Sequence, residues 1–142
     1  MVISGVLEEL EVEGYQRLLQ IRTPEGPVWV SHLEVSEYLE AGERSRMLVQ
    51  GCSIVVPVRL CYVLRFTQLD ASSDLGFSQR SGSPSTYMTG RVVNRMEPDV
   101  YLIDMGGSSV IPVEFEYEPA LAVGSIISVT GELATILDLA TQ

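Results

Sequence analysis

Lysine is missing from this chain altogether, histidine and tryptophan occur once each, and cysteine occurs twice in 142 residues. Each scarcity excludes something. Without lysine there is no P-loop, and Asp104-Met-Gly-Gly-Ser108 reads instead as a hairpin turn. Cys52 and Cys61 do not form a CxxC pair, and with one histidine beside them no metal site is expected. Both cysteines lie in an apolar, strand-rich stretch and are expected as buried free thiols. Any histidine-based triad or general base would have to use His32. That residue sits in the first turn of an expected helix, next to Ser31, which reads as the helix cap. No catalytic set and no cofactor follow from this inventory, so the chain is expected not to be an enzyme. Long apolar runs are also lacking. Spanning a bilayer takes about eighteen such residues, whereas Ile54–Val58 and Ile126–Val129 are strand-length. The opening Met1-Val2-Ile3-Ser4-Gly5 has no basic stretch before Glu8 and does not read as a signal peptide. A cytoplasmic location, away from membranes, is the expectation.

What is present is apolar and acidic. Hydrophobic residues make up 46% of the chain, enough to fill a core and too many for a disordered polymer. The formal net charge is −10, and all nine bases are arginine. Positions 1–67 carry nine acids and six arginines, whereas 87–142 carry eight acids and two arginines. Affinity for nucleic acid rests largely on neutralising phosphates, so this balance disfavours such a partner and suits a basic one.

Turn signals divide the chain. Residues 70–86, Asp70 to Thr86, are rich in Ser and Gly, contain Pro84 and lack an apolar period, so they read as a flexible linker. The halves on either side match each other. Leu48–Val56 can be laid over Leu121–Val129 with Gly51 on Gly124. Ser4-Gly5-Val6 falls on Thr89-Gly90-Arg91, and Gly26–Val30 falls more loosely on Ser108–Pro112. In the first half, Val2–Val12, Tyr15–Ile21 and Val28–Val30 read as strands, with Gly5 and Glu8-Glu9 breaking the alternation as a bulge would. Ser31-His32-Leu33-Glu34 then has the spacing of a capping box. With Val35, Tyr38 and Leu39 on one face and Gly42 as the stop, it predicts a helix at about 32–41. Strands resume at Ser53–Val58 and Tyr62–Thr67, and Pro57 between them fits an edge or a bulge. The second half offers four strands, Met88–Met96, Val100–Asp104, Val110–Tyr117 and Ile126–Ala134, and only Thr135–Gln142 for a fifth. A missing fifth strand leaves an edge for the linker, the first half or another subunit to cover.

Three strands, a helix and two strands is an order that resembles the OB (oligonucleotide/oligosaccharide-binding) fold. The resemblance implies an all-β protein of two small OB-type barrels. The first would span 1–69, and the second, trimmed one 87–142. It also raises single-stranded DNA or RNA binding across the second and third strands, where Tyr15, Arg17, Arg22 and Trp29 stand in the first half. Trp29 alternates with Val28 and Val30 and also reads as core; the matching second-half strands offer Tyr101 and acids. The most distinctive segment is Val113-Glu-Phe-Glu-Tyr-Glu118. Its alternation puts Val113, Phe115 and Tyr117 on one face and Glu114, Glu116 and Glu118 on the other. Those glutamates read either as the solvent face of a half-buried strand or as a ridge that docks an arginine- or lysine-rich protein. The expected function is a non-enzymatic binding or assembly module working through protein–protein contacts, as an oligomer or accessory subunit. The alternative is nucleic-acid binding through the first barrel.

Overall fold

The computed structural model describes residues 1–107 and 109–136, and in it the alternating stretches become strands. β1 (Val2–Glu13), β2 (Gln16–Thr23) and β3 (Gly26–Leu33) form an antiparallel meander. Their inward positions, Ile3 and Leu7, Leu19 and Ile21, Val28 and Val30, are buried. β4 (Ser53–Val63) and β5 (Phe66–Leu69) complete the first half. β6 (Gly76–Gln79), β7 (Ser85–Glu97), β8 (Val100–Asp104), β9 (Val110–Phe115) and β10 (Ile126–Thr135) follow. The ring β10-β3-β2-β1-β4-β9-β8-β7 returns to β10, a closed barrel of 8 strands, with β5 and β6 added on β10 and β7. Both halves feed one continuous core in which Leu7, Leu60, Tyr101, Ile103, Phe115 and Leu133 are nearly inaccessible. Each buried aliphatic side chain contributes roughly 1.5–3 kcal/mol.

β4 and β10 also meet each other, antiparallel, with Leu60 opposite Leu133 and Val58 opposite Thr135. β4 lies beside β1 over Ser53–Pro57, then beside β9 at Leu60 and Val63. In the same manner β10 lies beside β7 over Ile126–Glu132, then parallel to β3 at Ala134. The edge left for a fifth strand in the second half is therefore met by the first half. Leu137–Gln142, the remainder of that expected strand, lie outside the described residues.

The two halves repeat one hydrogen-bond pattern. Gly51 donates to Leu7 O at 2.7 Å and Gly124 to Val92 O at 2.8 Å, while Leu7 and Val92 donate in turn to Cys52 O and Ser125 O, both at 2.9 Å. Gly5 faces Ile54 and Gly90 faces Ile127, and a Cβ on either glycine would run into the carbonyl of Arg22 or Asp104. Both meanders shift register just past this point, between Leu7 and Glu9 and between Val92 and Asn94. The loosest sequence match needs correction by one residue, since Val28 faces Ile21 as Ile111 faces Ile103, which sets Val28 on Ile111.

Other expectations are overturned. The helix at 32–41 does not form, and no helix occurs among the described residues, so none is long and apolar enough to cross a membrane. Continued pairing with β2, Arg17 opposite His32 and Gln16 opposite Leu33, carries β3 on through these residues. Of the intended apolar face Val35, Tyr38 and Leu39, the first two are exposed and Leu39 alone is buried, too little burial to stabilise a short helix. The segment 70–86, expected as a linker, contains β6 and the start of β7. Gln79 explains its order. Its side-chain amide accepts from Trp29 N at 2.9 Å and donates to Trp29 O at 2.7 Å, as a neighbouring strand would. Pro57 lies inside β4 opposite Val2, where its carbonyl accepts from Ile136 N at 3.1 Å. Cys61 is buried and free as expected, but Cys52 is free and exposed.

Candidate functional site

A concavity lies where the two halves meet, and β4 builds it. From Leu60 to Phe66 the chain takes six steps, while its partner runs only from Leu133 to Val129, so two extra residues bulge out. Tyr62 absorbs the bulge with φ of 58°, the one non-glycine residue with positive φ among the described residues. That region costs an L side chain about 1–2 kcal/mol. The result is that Cys61 and Val63 face inward while Tyr62 and Leu64 stand out, 63% and 74% exposed. They flank a groove of ≈ 740 Å³ with Phe66 and Tyr87, over a floor of small hydroxyl and glycine positions on β10. The charged side chains lining it are Arg65 and Glu132.

Carboxylates gather beside this groove. The Cys61 thiol is pushed up to about 11, by burial first and then by the nearby carboxylates of Glu132, Glu114 and Glu116, with Arg59 opposing them. Glu116 N donates to Val63 O at 2.9 Å, which seats that ridge glutamate beside the end of β4, while Glu132 lines the groove from β10. Glu114 is partly neutralised by Arg59, whose Nη1 donates at 2.7 Å. The strand ends at Phe115, so Glu116, Tyr117 and Glu118 all lie exposed beyond it. The expected alternation holds for buried Val113 and Phe115 but not for Tyr117, and Glu118 does not continue a strand face.

The four residues of the nucleic-acid reading are dispersed. Arg17 is 2% exposed and belongs to the core side of β2. Its guanidinium donates to Gly14 O at 2.8 Å, Gln16 O at 3.0 Å and Glu37 O at 2.5 Å, pinning the 34–52 loop. Arg22 pairs with Glu8 at 3.3 Å on the surface. Tyr15 packs edge-on against Tyr38, centroids 5.2 Å apart. Trp29 is half-buried beside Phe77, outside the barrel interior. The exposed positions of β1 are Val2 and Ser4 in its first half and Glu9, Glu11 and Glu13 in its second. In the second half Tyr101 is a core residue whose hydroxyl donates to Pro119 O at 2.7 Å.

His32 makes a connection that the sequence hid. Its Nδ1 meets Thr135 Oγ1 at 2.6 Å, its Nε2 meets Glu34 Oε2 at 3.2 Å, and Ser36 Oγ donates to Glu34 Oε1 at 2.6 Å. Burial pushes the Glu34 carboxyl up, but the Ser36 and His32 hydrogen bonds outweigh it and hold the group below its ordinary value. A hydroxyl, an imidazole and a carboxylate in series have the composition of a hydrolytic triad. Here Thr135, His32 and Glu34 are all buried, so the hydroxyl has no substrate-facing side. The chain of bonds ties β10 to β3.

Sequence reasoning missed Tyr62, Leu64, Tyr87 and Glu132. Leu60-Cys-Tyr-Val-Leu64 is apolar throughout, so periodicity cannot say which side faces out, and nothing local announces the bulge. No protein-family model matches this chain, and neither a curated protein nor a solved structure matches it.

Proposed function

We propose that this chain is a non-enzymatic binding and assembly module that engages another polypeptide at the Tyr62 groove. The observation that carries this reading is the strained placement of Tyr62. Backbone strain at an exposed aromatic stabilises nothing in the isolated protein, and such strain clusters where a surface is used. Tyr62 and Tyr87 together with Arg65 also bring to one concavity the residue types in which binding hot spots are enriched. Glu132 in the groove wall and exposed Glu116 beside the end of β4 favour a partner segment that carries arginine or lysine. The exposed free thiol of Cys52 supports a reducing, cytoplasmic setting.

The test separates binding from stability. Tyr62→Gly removes the ring and relieves the backbone, so it is expected to stabilise the fold by roughly 0.5–1 kcal/mol. The same change should weaken association at least tenfold, read by light scattering after size exclusion and by cross-linking in lysate. A wild-type protein that stays monomeric and captures nothing sinks the reading. So does a Tyr62→Gly variant that captures the same partners equally well.

Direct binding of single strands is the second reading, and exposed Glu9, Glu11 and Glu13 of β1 together with the committed Arg17 and Arg22 speak against it. It predicts a salt-dependent shift of a labelled oligonucleotide that Trp29→Ala weakens; we expect no shift at low salt.

The architecture is read in the same spirit, as two OB-type barrels fused along β4 and β10. Support comes from two rings of pairings, β1-β2-β3-β10-β4 and β7-β8-β9-β4-β10. Each would have the OB strand order, with the other half contributing the fifth strand.

A further inference from the structure

We infer that the polypeptide is a tethered pair of complementary half-barrels, and that a second copy of this chain can occupy the β4–β10 seam by exchanging halves. The inference rests on the two-barrel reading and not on the groove, so a failed Tyr62→Gly experiment leaves it standing.

Three observations converge on the seam. First, neither half closes with its own strands. β3 finds its neighbour in Ala134 of the second half, and β9 finds its neighbours in Leu60 and Val63 of the first. Second, polar side chains cross between halves at separate places. His32 meets Thr135 at 2.6 Å, Arg59 meets Glu114 at 2.7 Å, and the Gln79 amide pairs with the Trp29 backbone. Third, the halves carry matching hydrogen bonds at Gly51 and Gly124, as two subunits of a symmetric dimer would. The contacts of the first two kinds are between halves and do not depend on the halves belonging to the same molecule, while the third shows that the halves are equivalent units.

Only the tether makes the pairing intramolecular, and its length can be checked. It runs from Leu69, opposite Ile126, to Gly76, opposite Thr89, so its ends lie across β5-β10-β7-β6. Three strand spacings of about 4.8 Å put those ends roughly 14 Å apart. Asp70–Leu75 provides seven peptide steps, at most roughly 24 Å. That spans the gap with roughly 10 Å to spare. Removing 71–74 would leave three steps, roughly 10 Å, too short to join the halves of one chain. Two chains could still exchange halves. Because Tyr62 and Leu64 come from one half and Tyr87 and Glu132 from the other, an exchanged dimer would carry two intact grooves and bind its partner bivalently.

The experiment deletes 71–74 from the full-length chain and measures mass by light scattering and strand content by circular dichroism. The expected result is a dimer of twice the monomer mass with unchanged strand content. A folded monomer overturns the inference. Should the shortened chain not fold, a second measurement decides. A protease site is inserted between Ser72 and Ser73 of the full chain, and the purified protein is cut. The inference requires the two pieces to co-elute one-to-one and their melting temperature to fall on tenfold dilution, while that of the uncut chain stays put. Pieces that separate with either one still folded, or a melting temperature indifferent to dilution, overturn it.

Discussion

Arg17 shows how one residue can be read correctly for type and wrongly for place. On sequence it is a cation on the second strand, available to a phosphate. In the fold its side chain lies on the same face as buried Leu19 and Ile21 and is spent on carbonyls of the β1–β2 turn and of the 34–52 loop. Replacing it by methionine keeps the bulk but leaves these acceptors and Glu37 unmet. Breaking such a buried ionic contact costs about 3–5 kcal/mol. The measurable outcome is a lower urea midpoint and faster proteolysis between Glu34 and Gln50. Its partner Glu37 adds a pH dependence. The Ser45 hydroxyl and the Arg46 N–H hold this carboxyl below its ordinary value of 4.5, against a smaller upward push from burial and with further help from Arg17. A depressed pKa contributes stability that is present above the ordinary value and lost as pH falls through and below it. Protection factors of the loop amides, corrected for the intrinsic exchange rate, should therefore fall below about pH 4.5. Glu37→Gln should remove much of that acid-induced change, and an unchanged pH profile in this variant would count against the account.

At the scale of elements, β10 carries the fold because it serves two neighbourhoods in turn. Its passage across β4 depends on Gly131, where a Cβ would lie 2.6 Å from Cys61 O, 2.8 Å from Val63 Cγ2 and 2.9 Å from Leu60 Cγ. Two of those neighbours belong to packed side chains and one to a strand backbone, so none can yield freely. Gly131→Ala is expected to destabilise by about 1–3 kcal/mol, as overpacked cores do. Chemical denaturation measures this, and a neutral effect would mean that the strands separate more easily than described. The far end of β10 is tied by Thr135 to His32. Thr135→Val keeps the shape and strands a buried ring nitrogen, at a cost of about 1–3 kcal/mol. Exchange protection of Leu133–Thr135 and of Ser31 should drop together, since they are paired. The strands themselves were legible in the sequence because period-2 alternation survives wherever one face is buried. The helix was misread because a capping box and an i, i+3, i+4 pattern are local signals. They cannot register that β2 goes on pairing with β3 through His32 and Leu33.

For the whole molecule, an independent pair of domains and a single interlocked barrel make different predictions. A chain with a flexible linker would unfold in two steps. Here one core cluster contains Leu7 and Val30 together with Ile103 and Phe115, and the sheet links β4 with β10. One cooperative transition is expected. The fluorescence of Trp29 reports the first half and far-ultraviolet dichroism reports both. Their midpoints should coincide; resolved transitions would show that the halves are energetically separate. Acidity acts at this scale too. Within a net charge of −10, Glu9, Glu11 and Glu13 stand exposed on β1, and such a balance bears on solubility and association and not on the fold.

Composition and alternation by themselves determined that this chain is all-β, acidic and internally repeated, with Gly5 on Gly90 and Gly51 on Gly124. These are properties of short windows, and burial of one strand face imposes them residue by residue. Which strand lies beside which was decided only in three dimensions, because pairing partners such as Ser31 and Ala134 are a hundred residues apart and leave no periodic trace. The same is true of the candidate site. Glu114 and Glu116 could be singled out from their alternation, yet the groove residues Glu132 and Tyr62 come from other strands. Tyr62 faces outward only because β4 must take two extra residues to follow β10.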